Sequence, residues 1–243
     1  MCYAMMKLRL PLRKVAAEFF GTMIFLYIVA ASAVVPRLYV NATPGLSLLF
    51  AAFIQGLALV AIVTAFDGIS GSHFNPAITS TLMLLRSLPG IHWFLYLFAQ
   101  FSGASVGAVL ASATFGKDAT LSAVTRLAPG VTIGSAITLE FFVTCILLLV
   151  VVSSATSLES AMAPVPIGFS VLVGVLLAGG VTGGSMNPAR SFGPALLHND
   201  WRDFWIYVVA PCMACIAVSL LHHFVFRSKD DEPAPEPAVT DLV

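Results

Sequence analysis

The chain has 243 residues, of which 58% are hydrophobic and only 10% are charged, and its formal net charge is zero. A soluble domain carries about 25% charged residues, so this composition excludes an ordinary soluble protein and indicates an integral membrane protein built from apolar helices. The balanced charge, without a basic patch, gives no sign of a nucleic-acid partner. Cys145, Cys212 and Cys215 lie in apolar runs, which favours packing roles over a disulfide framework.

Six apolar runs follow one another along the chain and predict six membrane-spanning helices. Lys7, Arg9, Arg13 and Lys14 precede the first run, and positive charge beside a first span favours a cytoplasmic N-terminus. Because the number of spans is even, the C-terminus is also expected in the cytoplasm. The predicted spans cover residues 15–35, 46–66, 91–113, 133–154, 166–178 and 204–226.

Two further apolar segments are too short to cross a membrane. Residues 78–85 and the segment that ends at residue 197 fall well below the length of about 20 residues that a span needs. Each is preceded by a Gly-rich signature loop, expected over residues 67–77 in the first half and 179–190 in the second, and the glycines suited to tight turns are Gly68, Gly71, Gly183 and Gly184. Each loop contains an Asn-Pro-Ala triplet, Asn75-Pro76-Ala77 in the first half and Asn187-Pro188-Ala189 in the second. Asn can cap a helix and Pro suits its first position. An ordinary cap would explain one copy, whereas two copies at matching places indicate a shared function.

The second half of the chain repeats the first. Asn75 and Asn187 are 112 residues apart (187 − 75 = 112), and Glu18-Phe19-Phe20 matches Glu140-Phe141-Phe142. Each half has three spans, so the second half enters the membrane from the opposite side as an inverted repeat. We therefore predict an all-α membrane protein with six transmembrane helices, two re-entrant half-helices and a 3+3 repeat. The predicted domains are a channel domain, 1–227, with repeats over about 15–113 and 133–226, and a disordered acidic Pro-rich tail, 228–243.

Irregular backbone at membrane depth is tolerated only where it is buried in protein or lines a wet cavity. Inverted symmetry makes the two half-helices meet N-terminus to N-terminus, and each end carries roughly half a positive charge. These ends repel cations, while the amides of Asn75 and Asn187 can donate to a passing oxygen. The arrangement predicts a pore for neutral molecules. We expect no cofactor and no metal, and the absence of a nucleophile–base pair argues against an enzyme.

Charged residues within the spans are few, and each is a candidate site residue. Arg190 lies one helical turn after Asn187; it either lines the pore, where it repels cations, or snorkels to the outer surface. Glu18 and Glu140 could form a catalytic or proton-carrying pair, but we favour loop bracing by carboxylates that accept N–H bonds. His73 has no counterpart in the repeat and is either a further loop hydrogen bonder or a gate that responds to protonation.

At these residues the chain resembles the aquaporin (major intrinsic protein) family over nearly all of residues 15–226. The doubled Asn-Pro-Ala, the trailing Arg190 and the paired Glu-Phe-Phe segments carry the resemblance. Residues 183–195 are similar to the plant tonoplast-intrinsic branch, and residues 72–77 to the animal branch permeable to ammonia and peroxide. The resemblance implies a pore in each subunit and a homotetramer.

The resemblance also implies an outer selectivity filter, which falls here at Gln55, Val175, Gly184 and Arg190. Strict water channels of the family have an aromatic residue and a histidine at the first two of these positions. Gln55 and Val175 therefore suggest a wider ring. Glycerol channels of the family carry Asp after the arginine, and Ser191 at that place disfavours a bulk glycerol conductor.

We therefore expect a passive channel for water and small uncharged solutes such as ammonia and hydrogen peroxide, with urea or glycerol as further candidates. Protons and other ions would be excluded. The alternatives are a secondary transporter, which also uses inverted repeats and broken helices, and a structural junction membrane protein. The expected location is the plasma membrane or an intracellular vacuolar-type membrane.

Overall fold

A computed structural model of the chain describes residues 12–85, 87–156 and 162–226. The described residues contain helices and no β-strand, which confirms the predicted all-α class. The helices are α1 (Leu12–Val40), α2 (Pro44–Ser70), α3 (Pro76–Leu84), α4 (Gly90–Phe115), α5 (Lys117–Thr120), α6 (Ile133–Thr156), α7 (Pro164–Ala178), α8 (Pro188–His198) and α9 (Ile206–Leu221). A 3₁₀ turn, Leu121–Ala123, follows α5, and a π-helical segment, His222–Phe226, follows α9.

Five of these helices are long and apolar enough to cross a membrane: α1, α2, α4, α6 and α9 together with its π-helical extension. The remaining predicted span corresponds to α7, which has 15 apolar residues. Residues 157–161, in the predicted loop before it, lie outside the described residues, as do the predicted tail and the basic residues Lys7 and Arg9. The half-helices α3 and α8 have 9 and 11 residues. At 1.5 Å per residue they are about 14 and 16 Å long, about half of a bilayer core each.

Two predicted span ends are wrong. The first span is predicted to end at residue 35, but α1 continues to Val40 with Pro36 inside the helix. Asp67 to Ala77 was expected to be a loop with Gly68 as one of its turning residues, but α2 continues through Ser70. The helix ends at Gly71, which has the left-handed φ of 86° and donates its N–H to the carbonyl of Asp67. Glycine adopts this conformation without the clash that a Cβ would cause. The irregular loop is therefore shorter than predicted, and Gly68 is an exposed helical residue.

The packing of the helices follows the sequence repeat. In the first half α1 packs on α2 and α4, and in the second half α6 packs on α7 and α9 in the same way. The halves join through α2 and α7, and each half-helix packs on the last span of the other half, α3 on α9 and α8 on α4. Gly56 and Gly168, 112 residues apart (168 − 56 = 112), face each other in the α2–α7 contact, where a Cβ on either would meet the other's carbonyl oxygen. This arrangement is a 3+3 repeat about an approximate two-fold axis.

The contact between α1 and α4 depends on two small residues. A Cβ on Gly103 would overlap the carbonyl oxygen of Phe19, and a Cβ on Gly107 would overlap that of Met23. These neighbours are backbone atoms, which cannot rotate away. Two glycines separated by three residues therefore allow the two helix backbones to approach closely.

We expect Gly103→Ala to lower the melting temperature of the detergent-solubilised protein, because α1 and α4 must separate to admit the methyl group. Overpacking of this kind costs about 1–3 kcal/mol. Gly134→Ala is the matched control, since Gly134 lies near the start of α6 with no atom within 4 Å of a built Cβ. A thermal-shift assay of both variants checks this prediction. Equal melting temperatures for the two variants would contradict the close-contact interpretation.

Candidate functional site

The two half-helices begin in the same way. Asn75 accepts the backbone N–H of Ala77 with its Oδ1 at 2.8 Å, and Asn187 accepts those of Ala189 at 3.0 Å and Arg190 at 3.3 Å. Pro76 and Pro188 occupy the first helical positions, where the missing N–H has no cost. Each asparagine is therefore a helix cap whose Oδ1 is committed to its own helix.

The amide nitrogens of the same asparagines join the two halves. Asn75 Nδ2 donates to the carbonyl of Met186 at 2.9 Å, and Asn187 Nδ2 donates to the carbonyl of Phe74 at 2.9 Å. These crossed bonds bring the N-termini of α3 and α8 together. An amide NH₂ has two hydrogens, so each asparagine keeps one N–H for another acceptor. Both side chains line the same cavity, where that N–H can reach a molecule that enters it.

The loops that present these carbonyls are residues 71–75, the first loop, and residues 179–187, the second loop, and they share an unusual backbone conformation. Phe74 and Met186 have left-handed φ values of 49° and 54°, and Gly71 and Gly183 have 86° and 92°. The members of each pair are repeat equivalents. A left-handed non-glycine residue costs roughly 1–2 kcal/mol, so the loops need external support to hold these carbonyls in place.

Glu18 provides that support in the first half. Its carboxylate accepts the backbone N–H groups of His73 at 3.0 Å and Phe74 at 2.8 Å. It also accepts the hydroxyl of Ser70 at 2.7 Å and Gln100 Nε2 at 2.8 Å. Glu18 is fully buried, and these four donors compensate the loss of water around the charge.

Glu140 makes the equivalent contacts in the second half. It accepts the N–H groups of Ser185 at 3.0 Å and Met186 at 3.0 Å, and the hydroxyl of Thr182 at 2.5 Å. Thr182 and Ser70 are themselves repeat equivalents. The structure therefore places both glutamates against the irregular loops, each within its own half.

His73 lies in the first loop beside the cavity. Its Nδ1 is 3.1 Å from Thr79 Oγ1, and its ring packs edge-on against Tyr96 at a centroid distance of 5.2 Å. Tyr96 in turn donates its hydroxyl to the carbonyl of Ser70 at 2.9 Å. His73 therefore packs against residues that support the loop and also lines the cavity.

Arg190 is buried within the protein, with 6% of its surface exposed. Its Nη1 donates to the carbonyl of Ala123 at 2.8 Å, and its Nε is buried without a hydrogen-bond partner in the described part of the chain. Arg190 lines the cavity together with Gln55 and Gly184. This position differs from that of an arginine that snorkels to the surface.

Three of the four filter residues implied by the resemblance come together at the cavity: Gln55, Gly184 and Arg190. Val175 is buried beside them, because a Cβ on Gly184 would lie 3.3 Å from its Cα, but its neighbour one turn earlier, Val171, lines the cavity instead. Gln55 Nε2 donates to Ser32 Oγ at 3.0 Å. The cavity measures about 20 Å³, room for about one water molecule.

Several residues at this site were not predicted from the sequence. The carbonyls of Phe74, Met186 and Ala123 are backbone acceptors, which no side-chain pattern reveals. Ser70 and Thr182, in contrast, are hydroxyl residues at the repeat offset of 112 (182 − 70 = 112), and that offset could have identified them. Among the described residues, no group of three or more His, Cys, Asp or Glu is placed to hold a metal ion.

Known proteins are similar to this chain in both sequence and fold. A family profile described as "Major intrinsic protein" matches residues 5–222. Aquaporin C of Dictyostelium discoideum is 35% identical over 230 residues, covering 92% of this chain and 83% of that protein. Probable aquaporin NIP5-1 of Arabidopsis thaliana is 36% identical over 227 residues, covering 93% and 73%. The X-ray structure of the aquaglyceroporin from Plasmodium falciparum matches with a TM-score of 0.79 over 89% of this chain and 97% of that one, at 22% identity.

Proposed function

The chain belongs to the major intrinsic protein family of aquaporins, and from that premise we propose that it conducts water together with the smallest uncharged solutes. Membership makes it an integral, multi-pass membrane protein and a passive channel for water and small solutes rather than an enzyme. The observation that carries the proposal is the pair of crossed bonds from Asn75 and Asn187. They set two helix N-termini against each other beside a cavity for about one water molecule.

The proposed pore excludes cations through three fixed positive ends. The N-termini of α3 and α8 each carry about half a positive charge, and Arg190 adds a full charge at the same cavity. The spare N–H groups of Asn75 and Asn187 offer hydrogen bonds to a neutral oxygen or nitrogen. A cation would lose its hydration here without gaining an acceptor of opposite charge.

The proposed solutes besides water are ammonia and hydrogen peroxide, with urea or glycerol as larger candidates. Gly184 contributes no side chain to the filter, which leaves space on one side. Gln55 occupies the other side and is held towards Ser32 at 3.0 Å. Passage of glycerol would therefore require the Gln55 side chain to move. Water and ammonia are smaller molecules and would pass beside Gln55 without such a movement.

Stopped-flow light scattering on proteoliposomes tests the function directly. In an impermeant sucrose gradient, we expect fast water flux with a low activation energy. Reswelling in urea, glycerol or ammonium gradients then determines which solutes pass. Water flux equal to that of empty liposomes, from correctly folded protein, would overturn the proposed function.

We expect Gln55→Phe to reduce permeability to urea and glycerol while water flux continues. The aromatic ring is bulkier than the amide and cannot bond to Ser32, so it would project into the space beside Gly184. In a narrow site, a solute that no longer fits is excluded by roughly tenfold or more, so the permeability to glycerol relative to that of water should fall by about this factor. Matched sucrose and glycerol gradients on Gln55→Phe and the original protein measure the ratio of glycerol to water permeability. Equal reduction of water and glycerol flux would contradict the assignment of Gln55 to the filter.

Two other functions are less well supported. A coupled secondary transporter needs an intramembrane acid that faces its substrate, yet Glu18 and Glu140 accept hydrogen bonds from the loops beside them. Saturable, gradient-coupled uptake would favour the transporter. A structural junction protein would not need the filter geometry around Arg190.

We further propose a homotetramer with one pore in each subunit and with both termini in the cytoplasm. Apolar aromatic side chains, among them Phe94, Phe98 and Phe142, are more than half exposed on the outer faces of the helices, which suits contact with lipid or with a neighbouring subunit. The proposed location remains the plasma membrane or a vacuolar-type membrane. Native mass spectrometry tests the tetramer, and protease access to the C-terminus in sealed vesicles tests the orientation.

A further inference from the structure

A short segment between α5 and α6 lies over the second half-helix. Residues 121–127, named here the covering segment, supply the carbonyl of Ala123 that accepts Arg190 Nη1 at 2.8 Å. Thr125 Oγ1 donates to Ser191 Oγ at 2.9 Å, next to Arg190 in α8. Because Nε of Arg190 has no partner among the described residues, the Ala123 carbonyl is the protein acceptor that fixes the direction of the guanidinium.

The covering segment is anchored by an ion pair at its far end. Arg126 donates from Nε to Asp200 Oδ2 at 2.8 Å, and its Nη2 lies 2.6 Å from the same oxygen. Asp200 follows α8 and also pairs with Arg202 at 3.0 Å. The neighbouring Asp203 accepts the backbone N–H of Leu127 at 3.3 Å. The covering segment is thus held to residues 200–203 by both a charge pair and a backbone bond.

Asp200 differs from an ordinary surface carboxylate. Only 12% of its side chain is exposed, compared with 40% for Arg126 and 75% for Arg202. The hydrogen bonds from Arg202, together with the hydrogen bond and charge of Arg126, hold the pKa of Asp200 well below its usual range. The carboxylate therefore stays ionised at physiological pH, and the pair with Arg126 persists.

We propose that Asp200 is a positioning residue for the selectivity filter: through Arg126 it holds the covering segment so that the Ala123 carbonyl orients Arg190. The proposal rests on the proposed channel function. In this proposal the two arginines that contact Asp200 have different roles. Arg126 connects Asp200 to the covering segment, whereas Arg202 contacts Asp200 from two residues further along the same loop and does not reach the filter.

The test compares the glycerol-to-water permeability ratio in proteoliposomes for Asp200→Asn, Arg126→Gln and Arg202→Gln. We expect the first two variants to raise the ratio by about threefold, the effect of losing one partly exposed ion pair, and the third, as matched control, to leave it unchanged. The double variant should show no further increase. The charge-reversed pair, Arg126→Asp with Asp200→Arg, made together with Arg202→Gln so that no second arginine faces position 200, should restore the ratio, which a general loss of folding would not allow.

A second measurement tests the proposal without relying on conduction. Amide hydrogen exchange across residues 121–127 should be faster in Asp200→Asn than in the original protein, and unchanged in Arg202→Gln. Unchanged exchange and an unchanged ratio in Asp200→Asn would overturn the positioning role, as would an equal effect of Arg202→Gln. If the original protein conducts no water, the channel function fails, and the exchange experiment still decides whether Asp200 anchors the covering segment.

Discussion

Arg190→Val is expected to raise glycerol permeability by roughly tenfold, the discrimination of a narrow site, and to let protons and other cations leak through the channel. The substitution removes the full positive charge at the cavity and the side chain that fills its wall beside Gln55 and Gly184. Valine neither repels a cation nor donates a hydrogen bond. The half-charges at the N-termini of α3 and α8 remain, so cation exclusion should weaken rather than disappear.

The measurement combines glycerol-driven reswelling with a pH-sensitive dye trapped inside proteoliposomes. Arg202→Val is the matched control, because Arg202 is an exposed arginine whose side-chain contacts are to Asp200. The control should retain the original solute and proton permeabilities. Unchanged glycerol and proton flux in a folded Arg190→Val protein would remove Arg190 from the filter.

Glu140→Gln is expected to cause a large loss of stability. Both carboxylate oxygens of Glu140 accept backbone N–H groups of the second loop. In glutamine an NH₂ group replaces one of these oxygens, so that a donor would face a backbone N–H that is also a donor. Each buried N–H left without an acceptor costs about 1–3 kcal/mol. The loop carries Gly184 and precedes Arg190, so we expect water flux to fall together with the melting temperature.

Asp67→Asn provides the control for charge loss near a signature loop, since Asp67 is an exposed carboxylate four residues before Gly71. Its melting temperature and flux should match those of the original protein. Glu18→Gln should behave like Glu140→Gln, because Glu18 accepts N–H groups from His73 and Phe74. A Glu140→Gln protein that melts and conducts like the original would contradict the bracing role.

The sequence repeat made much of the fold predictable. Asn75 and Asn187 each precede a proline, and this local pattern alone indicates where a helix begins. The end of α2 was not predictable to the residue, because four more residues remain helical until Gly71 turns the chain. Hydropathy does not register such a turn, which depends on one backbone angle.

The residues around the cavity were predictable in part. The resemblance implies Gln55, Gly184 and Arg190 as filter residues, and the structure brings these three to one cavity. The sequence does not reveal that Val171, one turn before Val175 on the same face of α7, lines that cavity, because the position of α7 along its own axis depends on how it packs against α2. Nor does it reveal the Ala123 carbonyl, since any residue could supply that acceptor.

The crossed asparagine bonds also constrain the order in which the protein assembles. The acceptor for Asn75 is the carbonyl of Met186, which lies 111 residues later in the chain. During synthesis, the first half of the protein can pack α1, α2 and α4 together. Asn75, at the N-terminus of α3, lacks its acceptor until the second loop with Met186 has been made. The joining of the two half-helices is therefore a late event in biogenesis. A chain truncated before residue 186 would leave the amide of Asn75 without this acceptor inside the membrane.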